Sequence, residues 1–454
     1  MPGPVIVIGA GSIGIAVAYY LVRHHRVRGV ILVDPLDPMS LTSAQSGENY
    51  RNWWPHPVMT AFTDDSIGLL EQISAESGNR INMTRRGYAL VTRRAAPTEL
   101  IDDLHRGYGV AAGQLIRIHE GQGAGASYTP PVSAAWDQAP DGVDVLCDQA
   151  LIRRVFPTYA PDVATVLHIR RAGAISGQQL GQVMLEAIRA AGGRLLRGRV
   201  AAIEGAAPFA LAVQTADGPI TLRADRLVNA AGPFVGEVAA LLGETLPVSC
   251  VYQQKIAFAD RHAAIPRTLP FTIDLDGQEL SWSEEERSIL AEDPAAARLL
   301  APMPGGIHCR PDGAADGQWI KLGWAYNTEA SDPHADAPSD PQFPDTVLRA
   351  ASRLHPALKA YIGHLPRGAH HYGGYYAMTA ENWPLIGPMQ TRGAYLAGAM
   401  SGFGTMAACA AGSLCAAWVM GGALPSYAPA LSPGRYQDTA IMSELAAMRT
   451  RGVL

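Results

Sequence analysis

The sequence has few charged residues and no strong excess of either sign. Asp, Glu, Lys and Arg make up 17% of the 454 residues, and the formal net charge is −5. So small an imbalance gives no basic surface for nucleic acid and no polybasic segment for a membrane. Because 48% of the residues are apolar, we expect a globular enzyme with a large interior. The chain is too long for one compact core, so two domains are expected.

Cysteines are scarce and scattered. The five thiols form no Cys-x-x-Cys pair and no zinc-ligand spacing. They are Cys147, Cys250, Cys309, Cys409 and Cys415. We therefore expect reduced thiols in a cytoplasmic protein. An apolar strand pattern begins at Pro4 and leaves no room for a signal peptide, which agrees with a cytoplasmic localisation.

Motifs of hydrolases and metalloenzymes are also missing. The chain has no Gly-x-Ser-x-Gly elbow, no His-Glu-x-x-His and no carboxylate cluster for two metal ions. The pairs His24-His25 and His370-His371 consist of adjacent residues, which point in different directions on any regular element. We interpret these histidines as non-ligands and expect no metal site.

One long uncharged stretch raises the question of a membrane span. No charged residue occurs from Gly393 to Gly434, and Met406 to Met420 is almost wholly apolar. Glycines interrupt the stretch, however, and its longest helical piece spans about four turns. The pattern therefore predicts a buried helix of a soluble protein and no transmembrane segment.

The start of the chain carries a nucleotide-binding pattern. An apolar strand over residues 4–8 leads into Gly9, Gly11 and Gly14, a helix follows, and a second strand ends at Asp34. The glycines allow a tight turn, close approach of a pyrophosphate and packing of helix on strand. The helix N-terminus offers free N–H groups to phosphates. An acid about twenty residues after the last glycine can accept hydrogen bonds from the ribose hydroxyls. The unit predicts dinucleotide binding.

Helix and strand patterns alternate along the rest of the chain. The spacing predicts a helix over 57–76 and a strand over 226–229 that runs into a glycine turn. Ser283 and Glu286 form a capping box inside the acidic segment 274–300. This segment is either a solvated surface insertion or a lid or partner-docking element.

Four separated segments together resemble the D-amino-acid oxidase superfamily of flavoproteins, in particular its sarcosine/glycine oxidase-like branch. The nucleotide-binding pattern is the first segment. The second is Gly173–Ser176 with its helix and the strand around Val200, and the third is Asn229–Gly232, similar to the family's Asn-Ala-Ala-Gly turn. The fourth, Tyr376–Gly387 with Ala397–Thr405, is similar to Thr-Pro-Asp-x-x-Pro-Ile-Gly followed by Gly-x-Ser-Gly-His-Gly.

The resemblance implies an α/β (α+β overall) fold, with a Rossmann-like FAD-binding domain and a substrate domain built on a large mixed β-sheet. The FAD-binding domain is expected at 1–80, 148–243 and 370–424, the substrate domain at 81–147 and 244–369, and a C-terminal tail at 425–454. The residues implied to bind FAD are Gly9, Gly11, Ser12, Ile13, Gly14, Asp34, Pro35, Ser43, Ser46, Gly47, Val200, Ala230, Ala231, Gly232, Gly398, Gly402, Phe403, Gly404, Thr405 and Met406.

Two departures from the family pattern bear on the chemistry. Some family members have a cysteine that binds flavin covalently. The corresponding segment here, Gly373–Ala377, contains no cysteine, so non-covalent FAD is expected. Phe403 replaces the family's histidine and Met406 its lysine, a cation that helps reaction with oxygen. The electron acceptor is therefore either O2 or a protein partner.

The resemblance also implies a substrate pocket. Arg51 is the first candidate for holding a substrate carboxylate, and its alternative role is a surface salt bridge. Arg310 and Lys255 are further candidates for the pocket lining. The aromatic residues Trp53, Trp54, Tyr372 and Tyr375 either form the pocket walls or belong to the core. As walls, they favour a substrate bulkier than glycine.

Three functions agree with these observations. The leading one is FAD-dependent oxidation of the C–N bond of an amino acid or N-alkyl amino acid to an imine by hydride transfer to the flavin. The second is a subunit of an amine or opine dehydrogenase that passes electrons to a partner. The third is a non-catalytic flavin-binding assembly factor, and an NAD-binding Rossmann enzyme is a remote fourth alternative.

Overall fold

The structure, a computed structural model, describes residues 4–121, 123, 127–131, 137–294, 296–313 and 316–448. The outer ends of the predicted first domain and tail, 1–3 and 449–454, lie outside the described residues. The strands are β1 (Val5–Ile8), β2 (Ile31–Asp34), β3 (Asn49–Arg51), β4 (Tyr88–Thr92), β5 (Ile116–His119), β6 (Val143–Leu146), β7 (Thr165–Ile169), β8 (Ala172–Ala174), β9 (Arg194–Arg197), β10 (Arg199–Glu204), β11 (Phe209–Thr215), β12 (Gly218–Ala224), β13 (Arg226–Asn229), β14 (Ser249–Ala259), β15 (Phe271–Asp274), β16 (Ile307–Pro311), β17 (Trp319–Trp324), β18 (His370–Met378), β19 (Leu385–Pro388) and β20 (Ala394–Gly398). The helices are α1 (Ser12–Arg23), α2 (Pro57–Glu76), α3 (Thr98–Tyr108), α4 (Ala112–Leu115), α5 (Gln149–Val155), α6 (Gly177–Ala190), α7 (Val235–Ala240), α8 (Glu284–Glu292), α9 (Phe343–Leu354), α10 (Gly404–Met420), α11 (Ala428–Leu431) and α12 (Thr439–Ala446).

The predicted nucleotide-binding unit is confirmed as the centre of a six-stranded sheet. The strand order is β19-β20-β13-β1-β2-β9, and all neighbours are parallel except β19 and β20. Gly9 ends β1 with a φ of 109°, and a Cβ there would lie 2.2 Å from the carbonyl oxygen of Ala230. Only glycine fits this turn between two neighbouring parallel strands.

Helices and a small sheet cover the two faces of the six-stranded sheet. Helices α1, α2, α6 and α10 share one apolar core with its first face. The antiparallel sheet β10-β11-β12 and helix α7 cover the second face. The uncharged stretch forms α10, which is buried as predicted, and Gly412 lets α10 approach α1 closely. No helix in the described part of the chain is long and apolar enough to cross a membrane.

A nine-stranded mixed sheet forms the second domain, in the order β18-β14-β17-β16-β15-β4-β7-β6-β5. Side chains alternate between its faces, as in any strand. Ile256, Leu322 and Trp324 point to an outer face that α9 covers. Lys255 and Tyr372, which pair across β14 and β18, point to the inner face beside the nucleotide-binding domain. Two domains with a Rossmann-like sheet and a large mixed sheet confirm the predicted fold class.

Two of the predicted domain boundaries need correction. Strands β7 and β18, assigned to the nucleotide-binding domain, both pair within the nine-stranded sheet. Strand β18 follows β14 along its length, from Ser249 opposite Met378 to Ala257 opposite His370, and this pairing fixes its domain. After β17 the chain therefore continues in the nine-stranded sheet through β18, and it returns to the six-stranded sheet only after residue 378. The remaining boundaries stay a prediction.

The acidic segment 274–300 packs on the outer face of the nine-stranded sheet. Leu290 and Leu299 join the core there, and the guanidinium carbon of Arg349 lies 4.2 Å from the centroid of Trp282. The capping box of α8 is present as predicted. The segment thus covers the sheet on the side opposite to the inner face.

Residues 425–448, expected as a tail, pack on the nucleotide-binding domain. Arg435 is 1% exposed and donates to Glu381 at 2.9 Å and to the carbonyl of Pro384 at 2.5 Å. Glu444 of α12 lies 3.0 Å from Nε2 of His56, which caps α2. These contacts make the segment part of the folded domain.

Candidate active site

One cavity of about 670 Å³ runs along the carboxyl ends of the parallel strands and reaches the inner face of the nine-stranded sheet. Its volume lies within the usual range for ligand sites. Most residues predicted to bind the cofactor line this cavity. They are Gly9, Gly11, Ser12, Ile13, Asp34, Pro35, Ser43, Ser46, Gly47, Val200, Ala230, Ala231, Gly232, Gly398, Gly402, Gly404 and Thr405.

Helix N-termini meet the cavity at two places. Neither α1 nor α10 has a side-chain cap from its N-cap residue, so free backbone N–H groups and the positive end of the helix dipole are available to a ligand. Ser43 accepts from the N–H of Ser12 at 3.0 Å, and Thr405 donates to Ser46 at 2.7 Å. The loop between β2 and β3 therefore fixes both helix starts relative to each other.

Asp34 lies at the end of β2 on the cavity wall. Its carboxylate oxygens accept from the N–H groups of Ala10 at 2.7 Å and Leu36 at 2.8 Å. These bonds orient the carboxylate, and each oxygen keeps acceptor capacity for a ligand hydroxyl. A ribose contact by Asp34 stays a prediction that this placement supports.

Three residues predicted to bind the cofactor do not line the cavity in the structure. Gly14 lies below the first turn, where a Cβ would meet the carbonyl of Gly9 at 2.0 Å. Phe403 packs edge-on against Trp54, with ring centroids 4.9 Å apart. Met406 is buried, and its sulfur accepts from the backbone N–H of Arg51 at 3.4 Å. Their contacts place them in the packing behind the cavity wall.

A comparison with protein families decides which ligand this cavity serves. The DAO family model, described as FAD dependent oxidoreductase, matches residues 4–418. The chain belongs to this family. It is therefore an FAD-dependent oxidoreductase, and FAD rather than NAD is its cofactor. A comparison with curated proteins found no match.

Solved structures share the fold over nearly the whole chain at low sequence identity. L-proline dehydrogenase from P. horikoshii has a TM-score of 0.69 at 16% identity, covering 96% of this chain and 98% of that chain. Glycine oxidase from Geobacillus kaustophilus has a TM-score of 0.66 at 18% identity, with coverages of 95% and 98%. Iminodiacetate oxidase from Chelativorans sp. BNC1 has a TM-score of 0.64 at 17% identity, with coverages of 94% and 98%.

The residues of the cavity fit FAD. The glycine turn and the α1 N-terminus suit its pyrophosphate, and Asp34 and Val200 line the same end of the cavity, where its adenosine belongs. The α10 N-terminus also meets the cavity, and its N–H groups would face the flavin ring, so we call this part of the cavity the flavin end. No cysteine lines the described cavity wall, and the predicted non-covalent attachment stays a prediction.

Arg51 is buried without an acidic partner among the described residues. It is 3% exposed, and its guanidinium carbon lies 4.6 Å from the ring centroid of Trp54, 4.9 Å from Tyr88 and 5.9 Å from Trp53. The Nε of the guanidinium has no hydrogen-bond partner, and no ion pair joins Arg51 to a described residue. Burial lowers the pKa of Arg51, while the neighbouring hydroxyl of Tyr88 acts in the opposite direction. The arginine still carries its charge. We call Arg51, Trp53, Trp54 and Tyr88 the arginine cage.

Further unpaired donors surround this guanidinium. Buried polar atoms normally find partners, and unpaired ones are few. Within the apolar cluster around Trp53, the Nε of Arg51, the indole nitrogens of Trp53 and Trp54 and the hydroxyls of Tyr88 and Tyr108 all lack one. Unpaired donors beside a buried cation are suited to contact an anion. The surface salt bridge considered for Arg51 does not occur among the described residues.

Lys255 lines the cavity as predicted. It is 5% exposed, and its Nζ lies 5.5 Å from the ring centroid of Tyr376. No described residue forms an ion pair or hydrogen bond with this ammonium group. A second buried cation is therefore available on the wall where the flavin ring belongs.

Arg310, expected to line the pocket, is held by other residues of the protein. Its side chain lies 2.8 Å from Asp312 and 3.4 Å from Glu48, and it donates to the carbonyl of Gly47 at 3.1 Å. Lys321 shares both carboxylates. Arg310 is paired because one acid, Asp312, directly follows β16 and the other, Glu48, comes from the loop between β2 and β3.

The two predicted wall tyrosines lie on opposite faces of β18. Tyr372 points to the inner face, and its buried hydroxyl has no partner among the described residues. Tyr375 belongs to the cavity wall, but its ring packs against Tyr252, with centroids 5.2 Å apart. Instead of Tyr375, Tyr376 faces the flavin end, where its ring fills the space beside Gly402.

Sequence reasoning missed Tyr88, His308 and Tyr376. Each lies on an inner-face position of the nine-stranded sheet, and the signal for them is strand alternation counted from Lys255 through the paired strands. No group of His, Cys, Asp and Glu that could hold a metal ion occurs among the described residues.

Proposed function

We propose that the protein oxidises the C–N bond of an amino acid or N-alkyl amino acid to an imine, which water hydrolyses. The observation that carries this proposal is the buried Arg51, which has no acidic partner among the described residues and lies in a cage of aromatic rings and unpaired donors. The neighbouring structures are named for proline, glycine and iminodiacetate, which all join an amine to a carboxylate. This likeness supports the proposal.

Arg51 carries a positive charge inside the protein. Removing a cation from water costs several kcal/mol, and proteins normally offset the cost with a paired anion. Arg51 has no such partner among the described residues. A substrate carboxylate provides the missing charge, and the guanidinium fork can bind it with two parallel hydrogen bonds. The backbone N–H of Arg51 contacts Met406 in the first turn of α10, so the arginine cage lies next to the start of this helix.

The remaining side chains orient the substrate and exclude water. FAD supplies the acceptor for the hydride that leaves the substrate carbon. The rings of Trp53, Trp54 and Tyr88 surround the carboxylate and strengthen its interaction with Arg51 by keeping the site dry. The α10 N-terminus stabilises negative charge that develops at the adjacent end of the cavity.

Either O2 or a protein partner accepts the electrons. Met406 has no charge and is packed against Arg51, which favours a dehydrogenase. Lys255, in contrast, places a positive charge on the cavity wall, and such a charge favours electron transfer to O2 by stabilising the anion that forms. The Lys255 observation favours an oxidase that uses a different lysine from the one in the family pattern. We propose a small-molecule substrate, no nucleic acid partner and a cytoplasmic location, the last because all five cysteines are free thiols.

Anaerobic bleaching of the flavin absorbance tests the proposal. The purified holoprotein is mixed with a panel of D-, L- and N-methyl amino acids and with the corresponding amines that lack a carboxylate. We expect bleaching by members with a carboxylate and much slower bleaching by the matched amines. Admission of air then separates the acceptors, because fast recovery of the colour indicates an oxidase. No bleaching by any amino acid would contradict the proposal.

A further inference from the structure

His308 presents an unpaired hydrogen-bond acceptor on the inner face of the nine-stranded sheet. Its Nδ1 lies 3.0 Å from the carbonyl oxygen of Gly306, which can only accept, so the ring proton is on Nδ1 and the lone pair is on Nε2. Burial lowers the pKa of His308 to about 4, and the neighbouring charge of Lys255 acts in the same direction. The ring is therefore neutral near pH 7.

The ring of His308 packs over Gly323, next to the stem of Lys255. A Cβ on Gly323 would lie 2.4 Å from Nε2 of His308 and 3.0 Å from Cγ of Lys255, so the missing side chain makes space for both groups. No described residue donates to Nε2, and the side chain keeps accessible surface although it lies deep in the protein. The acceptor is fixed in place but unused.

His308 also stands between the two cationic groups of the site. On one side is Lys255, which lines the cavity. On the other side the ring of Phe271 lies 5.2 Å from His308 and 4.6 Å from Tyr88 of the arginine cage. The rings of Phe271 and Tyr88 thus connect His308 to the arginine cage on the inner face of the sheet.

We propose that Nε2 of His308 accepts a hydrogen bond from the substrate amine, so that the enzyme prefers amino acids whose nitrogen keeps at least one N–H. This inference rests on the proposed function, because it places the substrate carboxylate at Arg51. In the reaction the C–H bond breaks and its hydrogen leaves with both bonding electrons as a hydride, for which FAD would be the acceptor, while the lone pair of the neutral nitrogen forms the C=N bond. The nitrogen becomes positively charged, which makes its N–H a stronger donor. The bond to His308 therefore strengthens as the reaction proceeds, and this lowers the barrier.

A pair of carboxylates that cannot be oxidised in this way tests the bond without turnover. Pyrrole-2-carboxylate carries an N–H beside its carboxylate, and furan-2-carboxylate has the same shape with an oxygen acceptor. Binding to the holoprotein is measured from the change in flavin absorbance. We expect wild type to bind the pyrrole about tenfold more tightly or better, because an unpaired buried acceptor costs about one hydrogen bond. His308→Leu removes the preference, and His308→Gln, which keeps an acceptor, retains part of it.

Controls separate this inference from folding and from the proposed function. His371→Leu changes a histidine whose Nε2 is already paired with Gln254, at 2.9 Å, and leaves the preference unchanged. FAD content and melting temperature report the folding of each variant. An equal affinity of wild type for both carboxylates, a preference that survives in His308→Leu, or no binding of either compound would overturn the inference. A preference that His308→Leu removes, without bleaching by any amino acid, would support the bond and contradict the proposed oxidation.

An N-methyl amino acid and its N,N-dimethyl analogue extend the test to turnover. We expect His308→Leu to slow anaerobic bleaching by the N-methyl compound about tenfold or more and to leave bleaching by the N,N-dimethyl compound within about twofold of wild type. Equal slowing of both compounds would mean that His308 acts only through the structure.

Discussion

Replacing Arg51 with methionine separates a ligand-binding arginine from a structural one. A charged guanidinium that holds a carboxylate by two bonds contributes about 1.5–3 kcal/mol for each bond. Arg51→Met should therefore weaken binding of pyrrole-2-carboxylate by about 100-fold or more, measured from the flavin absorbance. The same change removes a buried charge that costs several kcal/mol and that cation–π contacts with three rings offset only in part. The free energy of unfolding of the protein without substrate should stay the same or rise by up to about 2 kcal/mol.

Arg435→Met is the matched control. Arg435 is as deeply buried as Arg51, but it pairs with Glu381 and with backbone carbonyls. Its loss leaves the partly buried carboxylate of Glu381 with the hydroxyl of Tyr436 but without a cation, so we expect about 3–5 kcal/mol of destabilisation in urea unfolding and unchanged carboxylate binding. The reasoning about Arg51 would be refuted if Arg51→Met destabilised the protein as much as Arg435→Met and still bound the carboxylate normally.

Three further predictions concern Gly9, Lys255 and Asp144. Gly9→Ala should yield colourless protein that takes up no added FAD, because a Cβ there lies 2.2 Å from the carbonyl of Ala230; normal FAD content would contradict this. Lys255→Met should slow recovery of the flavin colour in air about tenfold or more if O2 is the acceptor, with bleaching by substrate changed much less; equal recovery rates would remove Lys255 from that role. Burial acts to raise the pKa of Asp144, but hydrogen bonds from Arg117 and His119 and the charge of Arg170 outweigh it and lower the pKa to about 2. Ionised Asp144 therefore contributes about 2 kcal/mol to the free energy of unfolding above about pH 4, and this contribution is lost as the pH falls toward 2. In Asp144→Asn the free energy of unfolding should lack this loss between about pH 4 and about pH 2.

The nucleotide-binding half of the site could be predicted from the sequence because its residues are local. Gly9, Gly11 and Asp34 lie within one strand–helix–strand unit, where each position has a fixed task. Ser43, two elements away, could be placed only through the resemblance, and the structure shows the contact that matters, its bond to the first residue of α1.

The substrate half depends on strand register and on partners from distant segments. Tyr372 and Tyr375 are three residues apart on one strand, so they cannot share a face, and Tyr376 is the second inner-face tyrosine. The position of Arg310 on a strand of the substrate domain favours a place in the pocket lining. Whether its guanidinium can bind a substrate depends, however, on acids elsewhere in the chain. No local pattern reports that Arg51 lacks an acidic partner while Arg310 has two.

The loop between β2 and β3, together with β3 itself, explains how the two halves of the site stay in register. Ser43 and Ser46 bond to the first turns of the two helices that face the cofactor. The carbonyl of Gly47 and the carboxylate of Glu48 then bond to cations on β16 and β17 of the other domain. Arg51 follows at the end of β3, inside its aromatic cage. One short segment thus contacts both helices and both strands, and it carries the proposed substrate anchor. We therefore expect a shift of either domain to move the cofactor site and this anchor together, so that the segment sets the distance between the substrate carbon and its hydride acceptor.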